Sequence, residues 1–232
     1  MLSCSEGLNN PQLGVRDFIK PKFSYYQSIF SCTLNPSSNL SLVESFVPKL
    51  LTEMQLYNDQ FRTPIFLFPT SENSSSIQFF KIIYKFQQLE ASEEMIEAMN
   101  KLNFNNIALC DEELRNIQSM NLINQTKLKS PYILEILNCK YIAPFNYGSF
   151  KSYIDDLINI VISSSLDIGM SYSEEVDQNK EFMWINTFSS KSSRKKISNK
   201  WLSQPRAKEV QSSFLEHSIC SESKLFDAYK LN

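Results

Sequence analysis

Between Phe182 and Lys208 the chain carries seven lysines and arginines and no aspartate or glutamate: Lys191, Arg194, Lys195, Lys196, Lys200, Arg206 and Lys208. Positive charge at this density suits the neutralisation of nucleic-acid phosphates, and Trp201 beside it could stack on an unpaired base. Lys191, Arg194, Lys195, Lys196, Lys200 and Trp201 are therefore the candidate DNA-binding residues. The same run also reads as a nuclear-import signal. Outside it the balance is acidic, a formal −9 within a net charge of −2.

A second stretch, Thr63 to Phe86, has the order of a phosphate-binding loop: an apolar run, a small-residue loop, then a second apolar run. A working loop places glycine backbone N–H groups around the phosphates and a lysine on the terminal ones. In the best register Phe68 and Asn73 occupy the glycine positions, Ser74 the lysine and Ser75 the hydroxyl, so only Ser75 fits. Asn73, Ser74 and Ser75 mark a degenerate nucleotide site with little means of gripping a phosphate. The carboxylates of Asp111 and Glu112 follow an apolar run, where a nucleotide enzyme could carry a metal-binding or water-activating acid. An acidic helix N-terminus would read the same way.

Conventional catalytic groupings are scarce. His217 is the single histidine, with nothing resembling a nucleophile elbow near it. Four glycines exclude Gly-rich loop chemistry, and the five cysteines are odd in number, scattered and never CxxC, which argues for unbridged thiols in a reducing compartment and against zinc. No metal and no cofactor is expected. No apolar run approaches the ~18 residues of a membrane helix, and no secretory signal is evident, so the expectation is an intracellular protein without membrane contact.

The elements that would position these residues alternate. Helices are predicted near Leu40–Tyr57, Ile77–Leu89 and Ser92–Leu102, and another is opened by Asp111. The clearest, Phe150–Ile162, puts Phe150, Tyr153, Ile154, Leu157, Ile158, Val161 and Ile162 on one face. Strands are predicted at Arg62–Phe68, Ile107–Cys110, within "CKYIAPF" and at "EFMWINTF". Alternation at short spacing points to an α/β fold with a mostly parallel sheet flanked by helices. No internal repeat is evident. The organisation expected is an N-terminal arm and helix (1–60), a core (61–190), and a basic loop with C-terminal tail (191–232).

Taken in order, these pieces resemble the RecA-like recombinase core in its degenerate, non-catalytic paralogues, the subunits of Shu-type complexes. The resemblance rests on Ile65–Phe68 with its following loop, Ile107–Cys110 ending in acids, the Phe150–Ile162 helix, and "FMWINTF" leading into "KSSRKK". It implies a nuclear, non-enzymatic, DNA-binding adaptor that assists recombinase filament assembly in homologous recombination and DNA repair. Its implied partners are other recombinase paralogues in a hetero-oligomer and single-stranded or forked DNA. Two further readings stay open: a RecA-like accessory subunit of Elongator in tRNA modification, and a P-loop ATPase with an unorthodox loop.

Overall fold

The computed structural model describes residues 23–55, 65–70, 76–84, 90–125, 128–176, 180–221 and 223–230. Two successive βαββαβ units build it. The first comprises β1 (Phe23–Leu34), α1 (Leu40–Gln55), β2 (Ile65–Pro69), β3 (Ser76–Tyr84), α2 (Glu90–Lys101) and β4 (Ala108–Ile123). The second comprises β5 (Tyr132–Tyr141), α3 (Lys151–Ser163), β6 (Gly169–Glu175), β7 (Glu181–Phe188), α4 (Lys191–Leu202), α5 (Ala207–His217), and a closing strand interrupted into β8 (Ser218–Cys220) and β9 (Lys224–Lys230).

Each unit has the ferredoxin-like strand order, β4-β1-β3-β2 in the first and β9-β5-β7-β6 in the second. Pairing of β4 with β6 and of β2 with β9 joins the two sheets edge to edge. The result is a closed barrel of eight strands, with β8 on the same edge of β5 as β9. Closure leaves the barrel no free sheet edge.

Every neighbouring pair is antiparallel. The expected RecA-like, mostly parallel sheet does not form. The helix crossovers do connect strands of like direction, but those strands are not neighbours. In the first unit β3 lies between β1 and β2 and pairs with both in the opposite sense.

Two predicted helices are strands. The apolar run after the expected phosphate loop is β3, paired on one side with β1 and on the other with β2. The segment after Asp111 continues as β4 through Ile123. A strand–loop–strand connection therefore replaces the strand–loop–helix scaffold on which the P-loop reading depended.

Three apolar clusters follow from this geometry. On α1, Val43, Phe46, Val47 and Leu50 recur at helical spacing and pack with Met95 and Ala98 of α2 over Phe30, Phe66 and Phe68. On the second unit, α3 buries Ile154, Leu157 and Val161 against Phe182, Trp184 and Phe188 of β7. The alternate residues of β7, Met183 and Ile185, point into the barrel, where they meet Leu134, Ile136 and Phe226.

Four of the five cysteines are bridged, contrary to the expectation of free thiols. Cys32 and Cys110 are directly opposed across β1 and β4, and Cys139 and Cys220 across β5 and β8. Both bridges tie the first strand of a unit to the start of its last, with sequence separations of 78 and 81. The equivalence exposes an internal repeat that the sequence conceals.

Candidate functional site

Helices α3, α4 and α5 do not seal the outer face of the second unit. Between them and β5–β7 lies a cavity of about 380 Å³, within the ~300–1,000 Å³ usual for small-molecule sites. The sheet supplies Leu137, Met170, Trp184 and Phe188, the helices Tyr153, Leu157, Val161, Ile197, Trp201 and Phe214. The walls are thus apolar and rich in rings. Behind them Phe150, fully buried, contacts Tyr141, Tyr153, Phe182, Trp184 and Phe214.

One corner is polar. Glu135 and Asn186 are directly opposed in the β5–β7 register, and Trp184 lies two residues before Asn186 on the same face. The Trp184 indole Nε1–H donates to Asn186 Oδ1 at 2.9 Å, and Asn186 Nδ2 donates to Glu135 Oε2 at 3.0 Å. Arg194, from the first turn of α4, donates to Glu135 Oε1 through Nε at 3.2 Å and through Nη2. These partners fix the amide. An indole N–H can only donate and a carboxylate only accept, so the Asn186 oxygen must face Trp184 and its nitrogen Glu135. One amide N–H and one oxygen lone pair of Asn186 remain for a ligand.

α4 is started by Ser190, whose side chain accepts from Ser193 N–H at 3.0 Å. That cap sets where Arg194 projects. Two buried hydroxyls lie deeper in the same core. The Tyr141 and Tyr172 hydroxyls are 3.0 Å apart, and Tyr172 donates to Glu174 Oε2 at 2.7 Å. Burial pushes both phenols well above their ordinary pKa, so they are neutral donors.

The sequence-selected residues are dispersed. Trp201 lines this cavity, and Arg194 is bonded to its lining residue Glu135. Lys191 pairs with Asp227 at 3.5 Å, while Lys195, Lys196 and Lys200 are exposed on α4. Asp111 and Glu112 are exposed on β4 in the first unit, where Glu112 accepts from Ser28 Oγ at 2.5 Å. Asn73, Ser74 and Ser75 lie outside the described residues. Sequence reasoning missed Glu135, Tyr153, Trp184 and Asn186 as site residues. The i, i+2 spacing of Trp184 and Asn186 was a usable strand signal, but only the β5–β7 register brings Glu135 to them.

The lining does not fit a metal-centred group. His217, the single histidine, sits at the end of α5 with its ring against Phe145 and Nδ1 2.6 Å from the Ser213 carbonyl oxygen. Among the described residues no three of His, Cys, Asp and Glu gather as a metal site. The cavity instead suits an organic ring system.

No protein-family model matches the chain, and no curated protein matches it by sequence. Solved structures do share its fold. A mutant chlorite dismutase from Candidatus Nitrospira defluvii superposes with a TM-score of 0.58 at 6% identity, over 88% of this chain and 91% of that one. A protein assigned as a monooxygenase from Lactobacillus acidophilus gives 0.56 at 9%, over 89% and 94%. An anthrone oxidase-like protein gives 0.50 at 10%, over 91% and 94%.

These likenesses and the antiparallel barrel overturn the RecA-like resemblance. The recombination and DNA-repair adaptor, the Elongator subunit and the P-loop ATPase all depended on that core and fall with it. The expectation of a non-enzyme rested on missing P-loop residues, in a fold that the chain does not have. The fold it does have is shared with proteins named for oxidative enzymes.

Proposed function

We propose that this chain is an enzyme that binds a flat, largely apolar ring compound in the second-unit cavity and oxidises it with dioxygen. The observation that carries the reading is the pairing of apolar, ring-rich walls with an orientated polar corner at Asn186. The names of the fold's relatives supply the reaction class, and the lining supplies the substrate class. A ring compound bearing a carbonyl or hydroxyl would lie between Leu157, Trp184 and Trp201, with its oxygen on the remaining Asn186 N–H. That donor would stabilise negative charge gathering on the oxygen as a ring methylene conjugated to it across the ring gives up a proton to water. Glu135, held by Arg194, keeps the amide turned toward the ligand. One oxygen atom of O₂ would enter the ring carbon as a carbonyl, and the other would leave as water.

Anthrone is a suitable probe, because a methylene flanked by two rings becomes a carbonyl in this reaction. The purified chain should consume oxygen above the uncatalysed rate, and Asn186→Ala should lower kcat about 100-fold, the weaker end of what one lost oxyanion donor costs. Saturable binding without oxygen uptake would overturn the enzyme and leave a carrier. Absence of both would overturn the site.

A further inference from the structure

We infer that Asn39 is an N-glycosylation site, on a chain that matures in an oxidising compartment. Two independent observations carry this. The first is covalent. Four of the five cysteines are bridged, Cys32 to Cys110 and Cys139 to Cys220. Disulfides form and persist in secreted, lumenal and cell-surface proteins, and are rare where glutathione keeps thiols reduced. A chain that ties both of its repeats in this way fits an oxidising lumen, and not the reducing compartment expected from the scattered cysteines.

The second observation is the triplet Asn39-Leu40-Ser41, an Asn-x-Ser acceptor whose middle residue is not proline. Asn73-Ser74-Ser75 and Asn124-Gln125-Thr126 have the same form. Of the three, only Asn39-Leu40-Ser41 lies wholly among the described residues, and both Asn39 and Ser41 are exposed. Asn39 is also the N-cap of α1, where its Oδ1 accepts from Leu42 N–H at 3.1 Å. The cap uses only the oxygen. Among the described residues the Asn39 Nδ2 has no partner, and Nδ2 is the atom that carries a glycan. A sugar can therefore be attached without loosening the start of the helix.

In the transfer, Nδ2 attacks the anomeric carbon of an oligosaccharide carried on a lipid diphosphate. A C–N bond forms, the C–O bond to the diphosphate breaks, and one amide proton passes to the transferase. Nothing is oxidised or reduced. The surroundings suit a bulky, solubilising group. Leu42, three residues along α1 from Asn39, is 45% exposed, and a glycan on Asn39 would cover it. α1 belongs to the first unit and contributes nothing to the lining of the second-unit cavity, so the sugar leaves that cavity clear.

The test is made on the protein purified from its source. Peptide-N-glycosidase in heavy-oxygen water turns a glycosylated asparagine into aspartate bearing one heavy oxygen, which peptide mass spectrometry reads. Asn39 should be converted, and the intact chain should lose mass on digestion. Alkylation before reduction should leave Cys32, Cys110, Cys139 and Cys220 unlabelled. The full chain expressed behind a signal sequence in a eukaryotic secretory host should migrate one glycan step faster as Ser41→Ala than as wild type. That variant removes the acceptor triplet and keeps Asn39 as the cap of α1, so its loss of mass is not a loss of fold. An unmodified Asn39 in the source protein, four free thiols at those cysteines, or equal migration of wild type and Ser41→Ala would each overturn the inference.

Discussion

Trp184 and Trp201, the only two tryptophans of the chain, line the same cavity, one from β7 and the other from α4. Trp184 is 4% exposed and bonded to Asn186; Trp201 is half-buried. All indole fluorescence therefore reports on one site. Titration with a ring compound should change the emission of wild type and of each single Trp→Phe variant. Trp184→Phe releases the Asn186 amide and should weaken ring binding about tenfold, the equivalent of one hydrogen bond of about 1.4 kcal/mol. Trp201→Phe should weaken it less. Emission that is blind to ligands which calorimetry shows to bind would place their site elsewhere.

Glu135 and Arg194 make a second measurable pair. The Glu135 side chain is 12% exposed and that of Arg194 33%, so the pair is partly screened. Arg194→Ala strands a mostly buried carboxylate and should cost about 1–3 kcal/mol in urea unfolding, below the ~3–5 of a fully buried pair. Glu135→Gln removes the charge and keeps the shape. It should cost less than Arg194→Ala, and an inverted order would contradict the account of the network.

The two disulfides close loops of similar length, so each should contribute comparably. Replacing Cys32 and Cys110 with serine, or Cys139 and Cys220, should each lower stability by roughly 2–4 kcal/mol. For a domain of this size that is about 4–15 °C in Tm. Thiol reductant should reproduce the combined loss. Equal melting of reduced and oxidised protein would show that the bridges do not constrain the fold.

Alkaline pH should unfold the protein through its buried phenols. Burial pushes Tyr132, inside the barrel, up to about 12, and raises Tyr141, Tyr147, Tyr153 and Tyr172 also. A raised folded-state pKa means that the native state retains protons the unfolded chain has released. Stability is then unaffected below about pH 10 and falls as pH climbs from there through the folded values. Phenolate absorbance should show the buried tyrosines ionising only as circular dichroism is lost. Smooth titration of every tyrosine near 10 with structure intact would refute their burial.

Local periodicity located several elements well. Helix α3 was legible because its apolar residues recur at helical spacing, and β7 was read with its observed limits, Glu181–Phe188. Periodicity failed at β3, whose sequence SIQFFKIIY has no apolar/polar alternation to mark a strand. It failed also at β4, whose acidic residues Asp111–Glu113 suggested a helix start but are exposed strand positions. The order of strands and helices was legible only in part: α1, α2, α3, β2 and β7 were placed, whereas β1, β3, β6 and the closing strand were not. The sense of their pairing was not legible, because alternation alone cannot distinguish a crossover to a neighbouring strand from one that skips a place for a third.

By itself the sequence determined which segments could bury a face, and it marked Arg194 and Trp201 as unusual in a cation-rich, aromatic-bearing stretch. Only the tertiary structure decided what those residues do. Arg194 turns inward because Glu135 lies 59 positions away on β5, and Glu135 meets Asn186 only through strand register. Burial and pairing are set by contacts distant in sequence, whereas charge and periodicity are local. A run of positive charge was therefore readable at once, while the carboxylate that gives one of those charges its place was visible only after the barrel had closed.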